Sequence, residues 1–292
     1  MGPARRTNKK TSPKETDSAC GRRRWGALNN TLTERSRMSF SNPKYYSNTA
    51  TLYSAALDEG DYHDWKDSII TGLMGFITPF PEKMRINRAF VRQMYEGYQQ
   101  EGFNNILDIG AGPIPRGHEW ATEANIMYVD HNPDIVEHAR RKLPAGASAR
   151  YETSSVGALP GLLEKGLVDG FFDDSRKVAF GSNAVLMFVD DAEIKSTFQY
   201  LYEWCAPGSV LKISTTGITG SESDLRAKFI RTFFKKVNAP MHVRNVDKFC
   251  ELFAPWKVTR RPMPLWEWVN WPPSKMTAGI GFDIYGIELR KE

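Results

Sequence analysis

The apolar positions of the chain follow two periods. Short runs such as Ile106-Leu107-Asp108-Ile109, Ile126-Met127-Tyr128-Val129 and Val210-Leu211-Lys212-Ile213 are bounded by glycine, proline or acid and read as buried strands. Strands are expected at 104–109, 125–130, near 148–153, about 178–187, 210–214, 256–263 and 281–290. Between them apolar residues recur at helical spacing, which predicts helices near 117–123, 133–143 and 158–166, and at 191–204, 221–238 and 244–253. A longer amphipathic helix over 82–101, opened by Pro81-Glu82 and carrying Met84, Ile86, Phe90, Val91, Met94 and Tyr98, leads into the first strand. Two further helices are expected within 43–80, on either side of the polar loop from Asp58 to Asp64. Repeated strand–helix pairs of this length imply an α/β fold, a mostly parallel sheet with helices on both faces.

Ligands of such sheets bind beyond the carboxyl ends of the strands. The first strand ends there in Asp108, Gly110, Ala111 and Gly112, a turn in which a side chain would block close approach. The second ends in Asp130, about twenty residues after that turn, the offset at which an acid accepts from ribose hydroxyls. Pro115 replaces the third glycine of a dinucleotide motif, and Asp108 would repel a pyrophosphate. A ligand with a ribose and a cationic amino group fits better, and S-adenosylmethionine is such a ligand. Residues after strand three, with Thr153 and Ser154 as candidates, and Asn183 to Met187 fall on the same edge.

Charge changes the picture once it is divided. The formal +5 comprises +6 on residues 1–24 and −1 on the rest, so the expected folded body is nearly neutral. Residues 1–42 are polar, basic and without an apolar period, and are expected to be a disordered, solvated tail. Its basic clusters leave open an import signal, an organelle-targeting segment or a nucleic-acid arm. The expected organisation is tail (1–42), helical cap (43–102) and sheet domain (103–292). No stretch approaches the ~18 apolar residues of a membrane span. Cys20, Cys205 and Cys250 lie far apart without metal-ligand spacing, so neither a disulfide framework nor a metal is expected, and the default location is cytoplasmic, or nuclear if the tail is an import signal.

From about Asn48 onward the chain resembles the S-adenosyl methyltransferase family abundant in actinobacteria, within the class I methyltransferases. The resemblance rests on Ile86-Asn87-Arg88-Ala89-Phe90, Leu107 to Pro113, Tyr128-Val129-Asp130-His131-Asn132-Pro133, His138-Ala139-Arg140, Val185 to Asp191, Ala206-Pro207-Gly208-Ser209 and Arg244. It implies a seven-stranded sheet of order 3-2-1-4-5-7-6 with the last strand antiparallel, a helical N-terminal extension and a helical insertion before strand six. It also implies S-adenosyl-L-methionine as cofactor, with Gly110 and Gly112 along its methionine portion, Asp130 on the ribose, and His131 and Asn132 beside the adenosine. The chain departs from the family in having Ser155 where an Asp is usual and Met187 where His is usual.

The acceptor side is less specified. His242, between the inserted helices, is the first candidate base, and His63, flanked by Asp61 and Asp64, is the second. Arg88 could pair with the cofactor's carboxylate. Trp266, Trp268 and Trp271 are either a packed loop or an aromatic wall for a flat or cationic acceptor, with Tyr62 and Met187 as further substrate contacts. The expected activity is methyl transfer to O or N of a small molecule. The alternatives are a nucleic-acid or protein methyltransferase using the basic tail, although Asn183-Ala184-Val185-Leu186 stands where base-amino methylation would need Asn/Asp-Pro-Pro-Tyr, and a cofactor-binding protein without transferase activity.

Overall fold

The computed structural model describes residues 49–292 apart from 59–61, 64, 78, 169, 219–224, 237–238 and 273–281; the basic segment 1–42, Asp61 and Asp64 lie outside the described residues. Helices α1 (Thr49–Leu57), α2 (Trp65–Ile77) and α3 (Phe80–Gln100) precede β1 (Asn105–Ile109). There follow α4 (Gly117–Trp120), β2 (Asn125–Asp130), α5 (Pro133–Lys142), β3 (Ala149–Thr153), α6 (Leu159–Val168), β4 (Val178–Asn183) and α7 (Asp191–Trp204). The chain closes with β5 (Val210–Ile218), α8 (Leu225–Lys236), β6 (Arg244–Asn245), α9 (Val246–Glu251), β7 (Lys257–Pro264), α10 (Leu265–Trp268) and β8 (Phe282–Arg290).

The sheet runs β3-β2-β1-β4-β5-β8-β7, parallel from β3 to β5 and antiparallel at β8 and β7. This is the expected order with one correction: the sheet has eight strands rather than seven. The addition is β6, two residues pairing in parallel with Gly217 and Ile218, so β5 extends four residues beyond the expected 214. A second correction concerns β4, which stops at Asn183 instead of 187. Ala184 takes φ +55°, which ends an extended strand, and Leu186–Phe188 form a 3-10 turn. The helix after β1 is a single turn.

Every residue of β1 is buried, as a central parallel strand covered on both faces requires. Strand alternation sends Leu107 and Ile109 to the face covered by Leu163, Phe198 and Phe249. Ile106, and Asp108 with it, go to the opposite face, where α3 supplies Phe90, Met94, Tyr95 and Tyr98. That face assignment puts a carboxylate under a long helix, and the site grows from it. The described residues, from Thr49 on, form one compact unit.

Candidate functional site

A cleft of about 540 Å³ opens at the carboxyl ends of β1, β2 and β4, walled by α1, α3 and the segment after α8. Its floor is the turn after β1. Gly110 and Gly112 have φ +73° and +72°, a conformation that L side chains rarely adopt. A Cβ on Gly110 would stand 2.1 Å from Val185 Cγ2, whereas one on Gly112 would meet nothing within 4 Å. The amides of Gly110 and Ala111 both donate to Val129 O, at 2.8 and 3.0 Å, so they are engaged rather than turned to an anion. Tyr151 from β3 donates to Gly112 O at 2.7 Å and holds the turn from below.

Of the lining carboxylates, Asp108, Asp130 and Glu193, the first two belong to the first two strands. Asp108 is buried; its Oδ2 accepts from the Tyr95 hydroxyl at 2.5 Å, while its buried Oδ1 has no hydrogen-bond partner among the described residues. Burial pushes the Asp108 carboxyl up to about 6, against the pull of the Tyr95 hydroxyl, the nearby Asn183 amide and the Arg88 charge. Asp130 closes β2, and its Oδ1 accepts from Asn132 N at 3.0 Å with His131 Nδ1 at 3.3 Å. That hydrogen bond to Asp130 holds the exposed His131 above the ordinary histidine range, partial burial working against it. Asn132 is the helix cap of α5, accepting from Asp134 N at 2.9 Å ahead of Pro133.

Arg88 lines the cleft, donates to Ile114 O at 3.3 Å and lies 5.5 Å over the Trp120 ring. Asn183 lines it too, with its carbonyl oxygen buried and unpartnered among the described residues. The cleft thus gathers Arg88, Asp108, Gly110, Ala111, Gly112, Asp130, His131, Asn132 and Asn183.

Other sequence candidates lie elsewhere. Thr153 is exposed and Ser154 Oγ donates to Ser155 O; Ser155 and Val156 line the cleft in their stead, two and three residues beyond the end of β3. Met187 is buried in the 3-10 turn, where its sulfur accepts from Thr216 Oγ1 at 3.3 Å, and Phe188 takes the lining position. His242 is exposed and its amide donates to Met187 O at 2.7 Å; Ala239 and Pro240, not His242, reach the cleft.

His63 Nδ1 lies 3.0 Å from the Oγ of Ser54, which is buried and lines the cleft. Tyr62 packs edge-on to His138 of α5 at 4.8 Å. Trp266 donates to Asp283 Oδ2 at 3.2 Å. Trp268 packs edge-on to Phe90 at 5.2 Å beneath the Arg260 guanidinium at 3.6 Å. Trp266, Trp268 and Trp271 join the core on the α3 face, and none is among the lining residues. Replacing Trp268 with alanine should therefore cost about 3–5 kcal/mol of stability in a urea titration, with ligand affinity of the folded fraction unchanged.

Sequence reasoning passed over Asn87 and Tyr95. Asn87 is buried, accepts from Ser214 Oγ at 2.6 Å and donates to Tyr53 Oη at 3.3 Å. Asn87, Val91 and Tyr95 form one stripe at four-residue spacing on α3, all lining the cleft. A polar–apolar–polar stripe ahead of the first strand was the available signal.

The residues present suit an adenosyl sulfonium with an amino-acid end. Asp108 Oδ1 is a buried acceptor in want of a donor, Asp130 offers a carboxylate at the ribose offset, and Gly112 leaves the floor open. Comparison with known proteins agrees. A family model described as S-adenosyl methyltransferase matches residues 36–275. A crystal structure of a candidate methyltransferase from Thermobifida fusca YX superimposes with TM-score 0.72 at 18% identity, covering 87% of this chain and all of that one. A DUF574 family protein from Streptomyces avermitilis MA-4680 gives TM-score 0.69 at 24% identity, covering 84% of this chain and 97% of that one. No match was found among curated proteins.

Proposed function

The chain belongs to the S-adenosyl methyltransferase family, and from that premise we propose that it methylates an oxygen or nitrogen atom of a small molecule. S-Adenosyl-L-methionine is the cofactor, and when bound it supplies an electrophilic methyl group on sulfur. The observation that carries the reading is the cleft itself: about 540 Å³ is the size of a small-molecule pocket, and cofactor and acceptor must share it. The residues outside 1–24 carry a net charge of only −1, a poor match for a polyanion that binds largely through cationic contacts.

Asp108 would hold the amino end of the cofactor, Arg88 its carboxylate and Asp130 the ribose hydroxyls. Ser155 and Val156 would bound the adenine, beyond Asp130 along the strand edge. The acceptor would enter from the side of Tyr53, Phe188, Ala239 and Pro240. Those side chains are uncharged, and the single lining histidine among the described residues, His131, sits with Asp130. Catalysis then rests on alignment, with the acceptor presenting a free lone pair.

The test is partition of label. The full chain is incubated with methyl-labelled cofactor and, separately, with low-mass phenols and amines, with tRNA and duplex DNA, and with denatured protein. Label is expected in the solvent-extractable small-molecule fraction. Label confined to precipitable nucleic acid or protein would overturn the reading.

A further inference from the structure

Under the glycine turn lies a floor of buried tyrosines: Tyr95 and Tyr98 from α3, Tyr128 from β2 and Tyr151 from β3. Tyr95 is the one that touches a cleft carboxylate. Its ring is fixed by Tyr98 at 6.4 Å and Trp120 at 6.1 Å. Against its edge stands Gly117, where a Cβ would come within 2.2 Å of the ring, so α4 can begin there only on a residue without a side chain. So wedged, the hydroxyl has one place to go, 2.5 Å from Asp108 Oδ2.

We propose that Tyr95 is a positioning residue for the cationic end of the cofactor: it keeps Asp108 ionised and leaves Oδ1 as the acceptor presented to the cleft. The inference rests on the cofactor reading above and adds what sets the state of its acid. A hydroxyl donated to a carboxylate favours the charged form, and burial opposes it. With both acting, the Asp108 carboxyl stands at about 6, so near neutrality it is mostly ionised by a narrow margin. The Tyr95 hydroxyl is itself driven well above the usual tyrosine range by burial and by Asp108, so it stays a donor throughout. The other polar groups around the pair are Arg88 and Tyr98 from α3, Tyr128 from β2, Tyr151 from β3 and Asn183 from β4. Among the described groups near Asp108, Arg88 is the cation, and it is shared with Ile114 and Trp120.

The experiment is calorimetric titration of S-adenosylmethionine between pH 5 and 7.5 on wild type, Tyr95→Phe and Asp108→Asn. Wild-type affinity should fall about tenfold per pH unit below a midpoint near 6. In Tyr95→Phe the midpoint should rise by about one pH unit or more, the worth of one hydrogen bond to a charged group, so affinity near pH 6.5 falls several-fold and recovers toward pH 7.5. Asp108→Asn should bind weakly at every pH. His131 lies in the same cleft in wild type and Tyr95→Phe alike, so the difference between the two removes its contribution. Should Tyr95→Phe melt below the working temperature, Gly117→Ala displaces the same ring and should shift the midpoint in the same direction. A midpoint unmoved in either variant, or a flat wild-type profile, overturns the proposal and leaves the cofactor reading intact. Failure of wild type to bind at any pH removes both.

Discussion

Replacing Asp108 with asparagine is expected to raise the melting temperature of the ligand-free protein while weakening S-adenosylmethionine binding about 30-fold to 150-fold. The loss follows from removing a charge-assisted hydrogen bond to an ammonium group, worth about 2–3 kcal/mol in a buried site. The gain comes from the opposite side of the same burial. The folded carboxyl stands at about 6, above the ordinary 3.8. A group shifted that way favours the fold when protonated, and that advantage is present below pH ~4 and lost as pH rises through 6. A gap of about two pH units corresponds to about 3 kcal/mol of cost at pH 7, the upper limit of what asparagine can recover. In a chain of this size that is a rise of several degrees, shrinking as the pH falls from 7 toward 4. Asparagine keeps a carbonyl for the Tyr95 hydroxyl, so the pair is not orphaned. Melting curves at pH 7 and 5, with calorimetry on the same samples, check both halves; a lower melting temperature at pH 7 would show that the acid is not a cost to the fold. The site is built at the expense of stability, as buried acids aimed at ligands are.

Gly110→Ala should have the larger structural effect. At φ +73° the left-handed backbone alone costs an L residue about 1–2 kcal/mol. The new Cβ would also stand 2.1 Å from Val185 Cγ2 and 3.0 Å from the other Val185 carbons, so something must move. Val185 cannot give way cheaply. The turn that follows it is stapled by Arg244, whose guanidinium donates to Leu186 O at 2.9 Å, Val189 O at 2.5 Å and Asp191 Oδ1 at 2.6 Å. Overpacking of this kind adds about 1–3 kcal/mol, for a total near 2–5 kcal/mol, and the displaced turn should lose cofactor binding. A second substitution, Val185→Ala, should restore the steric part and leave the backbone part. Denaturant midpoints of the two singles and the double separate these contributions, and strict additivity would mean that the clash is not the cause.

What could be read in advance was local. The Gly-x-Gly turn, the acid at the end of each of two strands and the alternation of strand and helix depend on neighbours in sequence, and they placed Asp108, Gly110, Gly112 and Asp130 at one edge of a mostly parallel sheet. The family resemblance supplied the strand order and the place of His131 and Asn132. What escaped depends on packing between elements. Tyr95 lies thirteen residues before Asp108, and their contact exists only because α3 crosses the face of the sheet to which strand alternation sends that acid. Asn87 meets Ser214 across 127 residues.

The early end of β4 is a similar case. An apolar run through Leu186 reads as strand, yet Ala184 turns the chain and Arg244, from a distant element, fixes the result. The tryptophan cluster had two readings because aromatic residues serve a core and a pocket equally well; Trp268 against Phe90 and Gly286 lies in the core. His242 illustrates the converse. Its place between inserted helices suggested a roof over the acceptor, but its amide is spent on Met187 and its side chain is exposed.

The most direct measurement is calorimetric titration of the purified chain with S-adenosylmethionine and with S-adenosylhomocysteine at pH 7.5, alongside a correctly folded Asp130→Ala variant. One molecule per chain should bind in each case to wild type, and the variant should lose at least tenfold in affinity for both through the ribose contact they share. Absence of heat with either compound, or an Asp130→Ala variant that binds both as wild type does, would contradict a cofactor site built on the ends of β1 and β2.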